Sequence, residues 1–255
     1  MDDLDDRFGL VAVVLAGGAR DQLAEEAGVA TRALVPVGGR AMGTYVLDAL
    51  AVSRRVKRVV LVGAEGLSGL TDVRLPGGEG LMASLSHGCA AAAQFGPKRL
   101  LILSADLPWL TGPAIDRWVE EAPLGDLVYP VIPESASVER FPGQRRTFVR
   151  LRSGRYTGGN LFLVLPSVLP QLLPWIDRAY RARKNPLALA RMIGFWTAAS
   201  LAMGLATLQG LEWSVGRSTG LDVRVDVTEE AAIGADVDHP EHLVAAMFPS
   251  MRSPT

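Results

Sequence analysis

Val11-Ala-Val-Val-Leu-Ala-Gly-Gly-Ala-Arg20 and, beyond a polar loop, Arg32-Ala-Leu-Val-Pro-Val-Gly-Gly-Arg40 decide the reading of this chain. The β-branched apolar run predicts a buried strand. It stops at Gly17-Gly18, where the lack of side chains lets a ligand approach backbone N–H groups, as in a phosphate cradle. A tight strand-to-helix turn would need the same glycines. A strand before, two cations (Arg20 and Arg32) after, and Pro36-Val37-Gly38-Gly39 closing the loop favour the ligand site.

Outward from this loop, apolar runs alternate with helical patterns. Residues 59–62, 100–104 and 126–131 read as strands. Residues 42–53 read as a helix whose Met42, Tyr45, Val46, Ala49 and Leu50 share a face. Residues 80–95 form a second helix, and Thr111 caps a third that reaches Glu121. Such alternation predicts an α/β fold, three layers α/β/α around a mostly parallel central sheet. Ligands of these sheets bind beyond the carboxyl ends of the strands, where Gly17-Gly18 and Asp106 both fall.

The second half is less regular. Residues 133–155 are polar and hold Pro142-Gly143 and Arg140, Arg145, Arg146, Arg150 and Arg152, which predicts a loop and irregular hairpin over a site. A strand over 156–164 carries Gly158-Gly159. A helix over 167–184 is expected to kink or restart at Pro170 and Pro174, and a strand over 223–227 and a helix over 239–247 follow. With no repeat and no linker, 1–255 reads as one domain. Its tails are 1–8 and 249–255, and 166–215 is a helical subregion.

Composition narrows the function. Of the 255 residues 49% are apolar, enough for a sizeable core, and the net charge of −1 argues against broad electrostatic binding to nucleic acid. A single cysteine, Cys89, excludes an internal disulfide, and an acidic N-terminus is no secretory signal, so a cytoplasmic protein is expected. Cations are 23 Arg against 3 Lys, so Arg is the default wherever a relative uses Lys. Residues 192–211 carry no charge and are long enough to span a bilayer. Their three glycines and polar residues favour one or two buried helices. Arg178, Arg181, Arg183 and Lys184 beside them also allow contact with a membrane surface.

Two acidic segments accompany the loop. Asp106, directly after the run Leu100-Leu-Ile-Leu-Ser-Ala, sits where Mg²⁺ bound to phosphate oxygens would be held. The other reading, a helix cap, suits Thr111 better. In Asp236-Val-Asp238-His-Pro-Glu241 two acids two apart point the same way, so one metal can see both. Asp238 also suits a cap for the last helix. His87, His239 and His242 read as surface or helix-end histidines rather than catalytic ones.

Taken in order, the glycine loop, Leu103-Ser-Ala-Asp-Leu-Pro108 and Asp236-Val-Asp-His-Pro-Glu241 resemble the NTP-transferase-like nucleotidyltransferases of glycosyltransferase-A-like (nucleotide-diphospho-sugar transferase) fold. The resemblance covers about 11–247 and is nearest the molybdenum-cofactor guanylyl- and cytidylyltransferases. It implies Mg²⁺-dependent transfer of NMP from an NTP to a phosphorylated small-molecule acceptor with release of pyrophosphate. Leu15, Ala16, Gly17, Gly18 and Ser84 would then hold the nucleotide, and Arg20, Arg32 and Asp106 would serve catalysis. Asp106 and Asp238 would hold the metal, and Gly158, Gly159 and Asn160 would meet the acceptor. Sugar-phosphate or lipid-phosphate acceptors, or a non-catalytic nucleotide-binding module, are the alternatives, and the assembly would be a monomer or homodimer. The loop departs from the family where Asp21-Gln-Leu-Ala-Glu-Glu-Ala27 replaces an Arg-Met-Gly triplet and Arg32 stands for a lysine.

Overall fold

Strand β1, Leu10–Leu15, divides its side chains between two apolar cores: Leu10, Ala12 and Val14 enter one, Val11 and Val13 the other. The computed structural model describes residues 9–18, 20–182 and 185–239. After β1 come α1 (Gln22–Glu26), β2 (Pro36–Val37), β3 (Arg40–Ala41), α2 (Met42–Val52), β4 (Val56–Val62) and β5 (Val73–Leu75). Next are α3 (Leu81–Ala92), β6 (Arg99–Ser104), α4 (Gly112–Glu121), β7 (Leu127–Pro133) and α5 (Glu134–Arg140). A hairpin of β8 (Val149–Leu151) and β9 (Gly154–Gly158) leads to β10 (Leu161–Val164). Helices α6 (Leu169–Ala182), α7 (Pro186–Ile193), α8 (Phe195–Ala202) and α9 (Leu208–Thr219) precede β11 (Val223–Val227).

The central sheet runs β5-β4-β1-β6-β10-β7-β9-β8, with β11 on β7. The pairs β1/β4, β1/β6, β4/β5 and β7/β11 are parallel, while β10 runs antiparallel between β6 and β7. Helices α2 and α4 cover one face, bringing Val46, Leu47, Leu50, Ile115 and Trp118 into the first core. Leu85 and Cys89 of α3 and Leu172 of α6 cover the other. Each such side chain, fully withdrawn from water, stabilises the fold by about 2 kcal/mol. The expected three-layer α/β/α architecture with a mostly parallel sheet is the one observed.

Strands β9 and β10 are two halves of one bent segment. Val131 pairs with Gly158 and Val128 with Leu163, so three steps along β7 face five on the opposing chain. Gly159 and Asn160 are the two extra residues, a bulge that turns this segment toward the sheet's carboxyl edge. Gly159 needs to be glycine: a Cβ there would lie 2.7 Å from Pro130 Cγ.

Four expectations need correction. The polar stretch after Arg20 is not all loop, because Asp21 caps α1 by accepting from the Ala24 amide at 3.0 Å. The segment 133–155 opens with α5, which starts once Pro133 ends the strand; the hairpin follows it. Helix α6 runs on through Pro174 instead of restarting. Residues 192–211 form short helices that are largely not buried: Phe195 is 72% and Trp196 81% exposed, and α8 has no buried residue. Short helices broken at Gly194 and Gly204 spread this apolar stretch across the surface rather than burying it. Among the described residues no helix is long and apolar enough to cross a membrane. The expected tails, the helix beyond His239, His242, Arg183 and Lys184 lie outside the described residues.

Candidate active site

Parallel strands end together, so the loops after β1, β4 and β6 meet at one edge. The Ala16 amide donates to Val62 O at 2.9 Å and the Ala105 amide to Leu15 O at 3.2 Å, extending the sheet by a residue on each side. Ala16 is thereby buried and Leu15 partly buried, while Gly17 and Gly18 stand exposed past the edge. Gly18 has φ +147°, a conformation for glycine; a Cβ at Gly17 would meet nothing closer than 3.7 Å. The tight approach is at Gly63 (φ +88°), whose Cβ would lie 2.5 Å from the Gly17 backbone. Gly77 also faces Gly63, and Ser84, buried on α3, accepts from the Gly78 amide at 3.0 Å. Backbone atoms of Gly17, Gly63 and Gly77 therefore form one wall without side chains, and Ser84 pins it. A neighbouring cavity of about 380 Å³ runs along Gly63, Ala64, Glu65, Arg74 and Pro76.

The carboxylates gather beside this wall. Asp106 follows β6, accepts from the Ser104 hydroxyl and offers its carbonyl to the Val237 amide at 3.1 Å. That bond draws the 236–238 segment to the end of β6. Thr111, not Asp106, caps α4, accepting from the Ala114 amide at 3.3 Å. Asp106, Asp236 and Asp238 each place a carboxylate oxygen within 4.8 Å of the others. Three hard oxygen donors suit Mg²⁺, whose ligand oxygens stand about 3–4 Å apart for bonds near 2.1 Å. Drawing these oxygens together from within 4.8 Å would close the set, so these residues fit the ion.

Two arginines balance the charge. Arg32 donates from NH1 to Asp106 Oδ2 at 2.9 Å and to Asp238, and from Nε to Asp21 Oδ2 at 2.7 Å. Burial opposes its charge, but Asp106, Asp21 and Asp238 outweigh burial and raise its pKa further. Arg146 is nearly buried and donates to Gly234 O and to Asp236 Oδ1 at 3.3 Å. Burial pulls its pKa down, against the pull of Asp236. Asp236 itself is pushed up to about 7, by burial first and then by the neighbouring Asp238 and Asp106 carboxylates.

A second cavity of about 450 Å³ opens on the far side of the carboxylates. Tyr129, Arg145, Arg146, Thr157, Asn160 and His239 line it, and Gly158 joins them. The bulge sets its floor: the Asn160 amide donates to Ile233 O at 3.0 Å, and Gly159 is buried beneath. Arg20 is exposed beside the glycine loop, with no ion pair to another described residue.

Most residues singled out in the sequence thus meet at one edge. Asp106, Asp238, Arg32, Gly17, Gly18 and Ser84 lie along it, and Gly158 and Asn160 line the far cavity. Asp236 joins the carboxylates as a third member; its signal was its place two residues before Asp238. Gly63 was missed although it follows β4 in the same strand-then-glycine pattern as Gly17. Arg146 was one of six arginines in the polar stretch 133–155, with nothing local to mark it as the buried one.

The profile of the MobA-like NTP transferase domain family matches residues 12–215. Among solved structures, a hypothetical transferase from Thermus thermophilus is 38% identical, with 91% of this chain and 98% of that one covered at a TM-score of 0.84. The 2-C-methyl-D-erythritol 4-phosphate cytidylyltransferase of Thermus thermophilus is 21% identical (93% and 97% covered, TM-score 0.53). The 4-diphosphocytidyl-2C-methyl-D-erythritol synthase of Anaerococcus prevotii is 12% identical (95% and 98% covered, TM-score 0.55). These last two share the fold. No curated protein sequence matches the chain.

Proposed function

Because the chain belongs to the MobA-like NTP transferase domain family and is a nucleotidyltransferase, we propose that it transfers NMP from a Mg²⁺-bound NTP to a phosphorylated small molecule. The observation that carries this is the placing of Asp106, Asp236 and Asp238 between a side-chain-free glycine wall and a polar cavity. The wall of Gly17, Gly63 and Gly77 takes the base and ribose, which lie flat against backbone. Arg20 and Arg32 serve the triphosphate. The cavity past the carboxylates takes the acceptor, whose phosphate meets Arg145, Asn160 and His239.

An acceptor phosphate oxygen attacks the α-phosphorus in line. One P–O bond forms, the bond to the β-phosphate oxygen breaks, and pyrophosphate leaves with the electron pair. The attacking phosphate is already ionised at neutral pH, so no general base is required. Asp106 and Asp238, with Asp236, would hold the Mg²⁺, which when bound neutralises charge on the phosphate oxygens. The chain's own contribution is positioning and electrostatics: glycines that admit the nucleotide, arginines that meet anionic oxygens, and carboxylates braced by Ser104 and Arg146.

At about 450 Å³ the acceptor cavity is of ordinary small-molecule size. Its Tyr129, Thr147, Thr157 and Asn160 side chains offer hydroxyl and amide partners, which favours a hydroxyl-rich phosphate such as a sugar phosphate. A molybdopterin-type phosphate is the second acceptor to test. Pyrophosphate release across the four NTPs with both acceptor types is the decisive assay. One NTP–acceptor pair giving turnover that Asp106→Asn abolishes supports the reading. NTP binding without turnover on any acceptor, unchanged by Asp106→Asn, overturns it.

A further inference from the structure

We propose that Arg32, anchored by Asp21, is a built-in counter-ion that occupies the carboxylate site and holds off a free divalent cation until an NTP arrives. The inference rests on the metal site of the reading above. Its geometry is explicit: NH1 bonds Asp106 and Asp238, two of the three clustered carboxylates, while Nε bonds Asp21. The oxygens that a metal would use are thus engaged by a guanidinium. The planar fork of Arg suits this bridging, since its five donors diverge in fixed directions toward separate carboxylates, whereas a Lys ammonium offers three donors at one point. Asp21 is outside the carboxylate cluster and is itself fixed, because its other oxygen caps α1. It therefore acts as a positioning residue, a post that keeps Arg32 over the carboxylates. A triphosphate gives the guanidinium a competing set of anionic oxygens, so nucleotide and metal enter together.

Asp21→Asn separates this device from a simple field effect. The amide keeps the α1 cap but loses its charge-assisted bond to Arg32. Removing a nearby negative charge should weaken cation binding through the field alone, whereas releasing the arginine should strengthen it. Mn²⁺ binding to the full chain without nucleotide, read by paramagnetic resonance or calorimetry, distinguishes the two. Asp21→Asn and Arg32→Gln are expected to bind free Mn²⁺ about tenfold tighter than the parent, the scale of one charge-assisted bond. Asp21→Asn binding no tighter than the parent overturns the proposal, and a melting curve confirms that the variant is folded. Asp106→Asn is the control for the underlying site. Unchanged Mn²⁺ binding in that variant defeats the metal assignment itself, separately from the counter-ion.

A different observation concerns α7–α9, and from it we infer an anionic phospholipid surface as the partner of this face. Phe195, Trp196 and Met203 are spaced seven and eight apart at α8 and are all exposed, with Phe195 and Trp196 in edge contact at 5.5 Å. Leu187 and Arg191, four apart on α7, are exposed as well. Charge selects the occupant. Residues 166–219 hold Arg178, Arg181, Arg183, Lys184, Arg191 and Arg217 against only Asp177 and Glu212, a net +4 in a chain of net −1. A two-fold contact with a second copy would set like charge against like charge in this cationic subregion, whereas an anionic bilayer matches both the charge and the interfacial tryptophan. Co-sedimentation with phosphatidylglycerol and with phosphatidylcholine vesicles tests it. Binding to the first alone, weakened by salt and lost in Phe195→Ser/Trp196→Ser, is the expected result. No binding, equal binding to both, or a dimer that the same double substitution dissolves would overturn it; Leu187→Gln gives a second variant should the double one not fold.

Discussion

At the carboxyl edge of β1 and β6, charge is gathered and matched, with Asp106, Asp236 and Asp238 held by Arg32 and Arg146. Along α8 nothing is charged, and Phe195 and Trp196 stand open to solvent. The first region engages its polar groups with one another in a partly buried setting, where losing a partner leaves a costly orphan. The second carries apolar area that the fold does not need. Substitutions at the edge should therefore be severe, and those on the helices nearly silent for the folded chain.

The largest effect is expected for Asp106→Asn. Losing that carboxylate should lower pyrophosphate release about 10²–10³-fold, by analogy with removing one strong electrostatic contact to a transition state. Activity near the parent level would place the chemistry elsewhere. Arg146→Met comes next. It leaves Asp236 facing two carboxylates without its buried partner, and should cost about 2–3 kcal/mol in urea unfolding. An unchanged midpoint would mean that the edge is no more demanding than the helices.

Asp116 offers a milder test away from the site. It joins α4 to the turn before β4, accepting from the Ser53 hydroxyl at 2.6 Å and from the Arg54 and Arg55 amides. Burial alone would raise its pKa, but these hydrogen bonds outweigh burial and lower it. With the folded value depressed, its contribution is full above the unfolded value of 3.8 and is lost as pH falls through the folded one. Asp116→Asn should cost about 1–2 kcal/mol at neutral pH and flatten the acid limb of the stability curve, leaving NTP binding intact. The smallest effect is expected for Trp196→Ser. At 81% exposure it should move stability by less than about 0.5 kcal/mol. A loss several times that size would show that α8 packs as core and would erase the contrast.

Much of the fold was legible because its cues are local. The alternation in β1, the cap at Thr111 and the glycines that end the strand act within a few residues of themselves. Asp106 and Asp238 were legible as acids after a strand and on an extended segment. Asp236 was legible as the companion of Asp238, but its meeting with Asp106 was not, since that depends on the bond between the Val237 amide and Asp106 O, 131 positions apart in the chain. Helix α1 was hidden by polar residues, because Gln22–Glu26 is too short for a periodic pattern and rests on its Asp21 cap. The uncharged 192–211 run misled in another way: apolar content predicts burial only if something lies above it, and Gly194 and Gly204 break the run at the surface.

The sequence alone determined the strand-and-helix alternation, hence a parallel sheet with ligand-bearing loops at its carboxyl edge, because backbone sterics and apolar periodicity are properties of neighbours. Tertiary structure alone decided that Gly63 backs onto Gly17, that Arg146 is the buried arginine of its polar stretch, and that Arg32 lies across Asp106 and Asp238. Each of those facts is a distance between residues far apart in the chain, and the sheet order sets it. The glycine loop began as a place where phosphate can be cradled. In the folded chain it is one wall of a charged site whose own arginine already occupies the carboxylates.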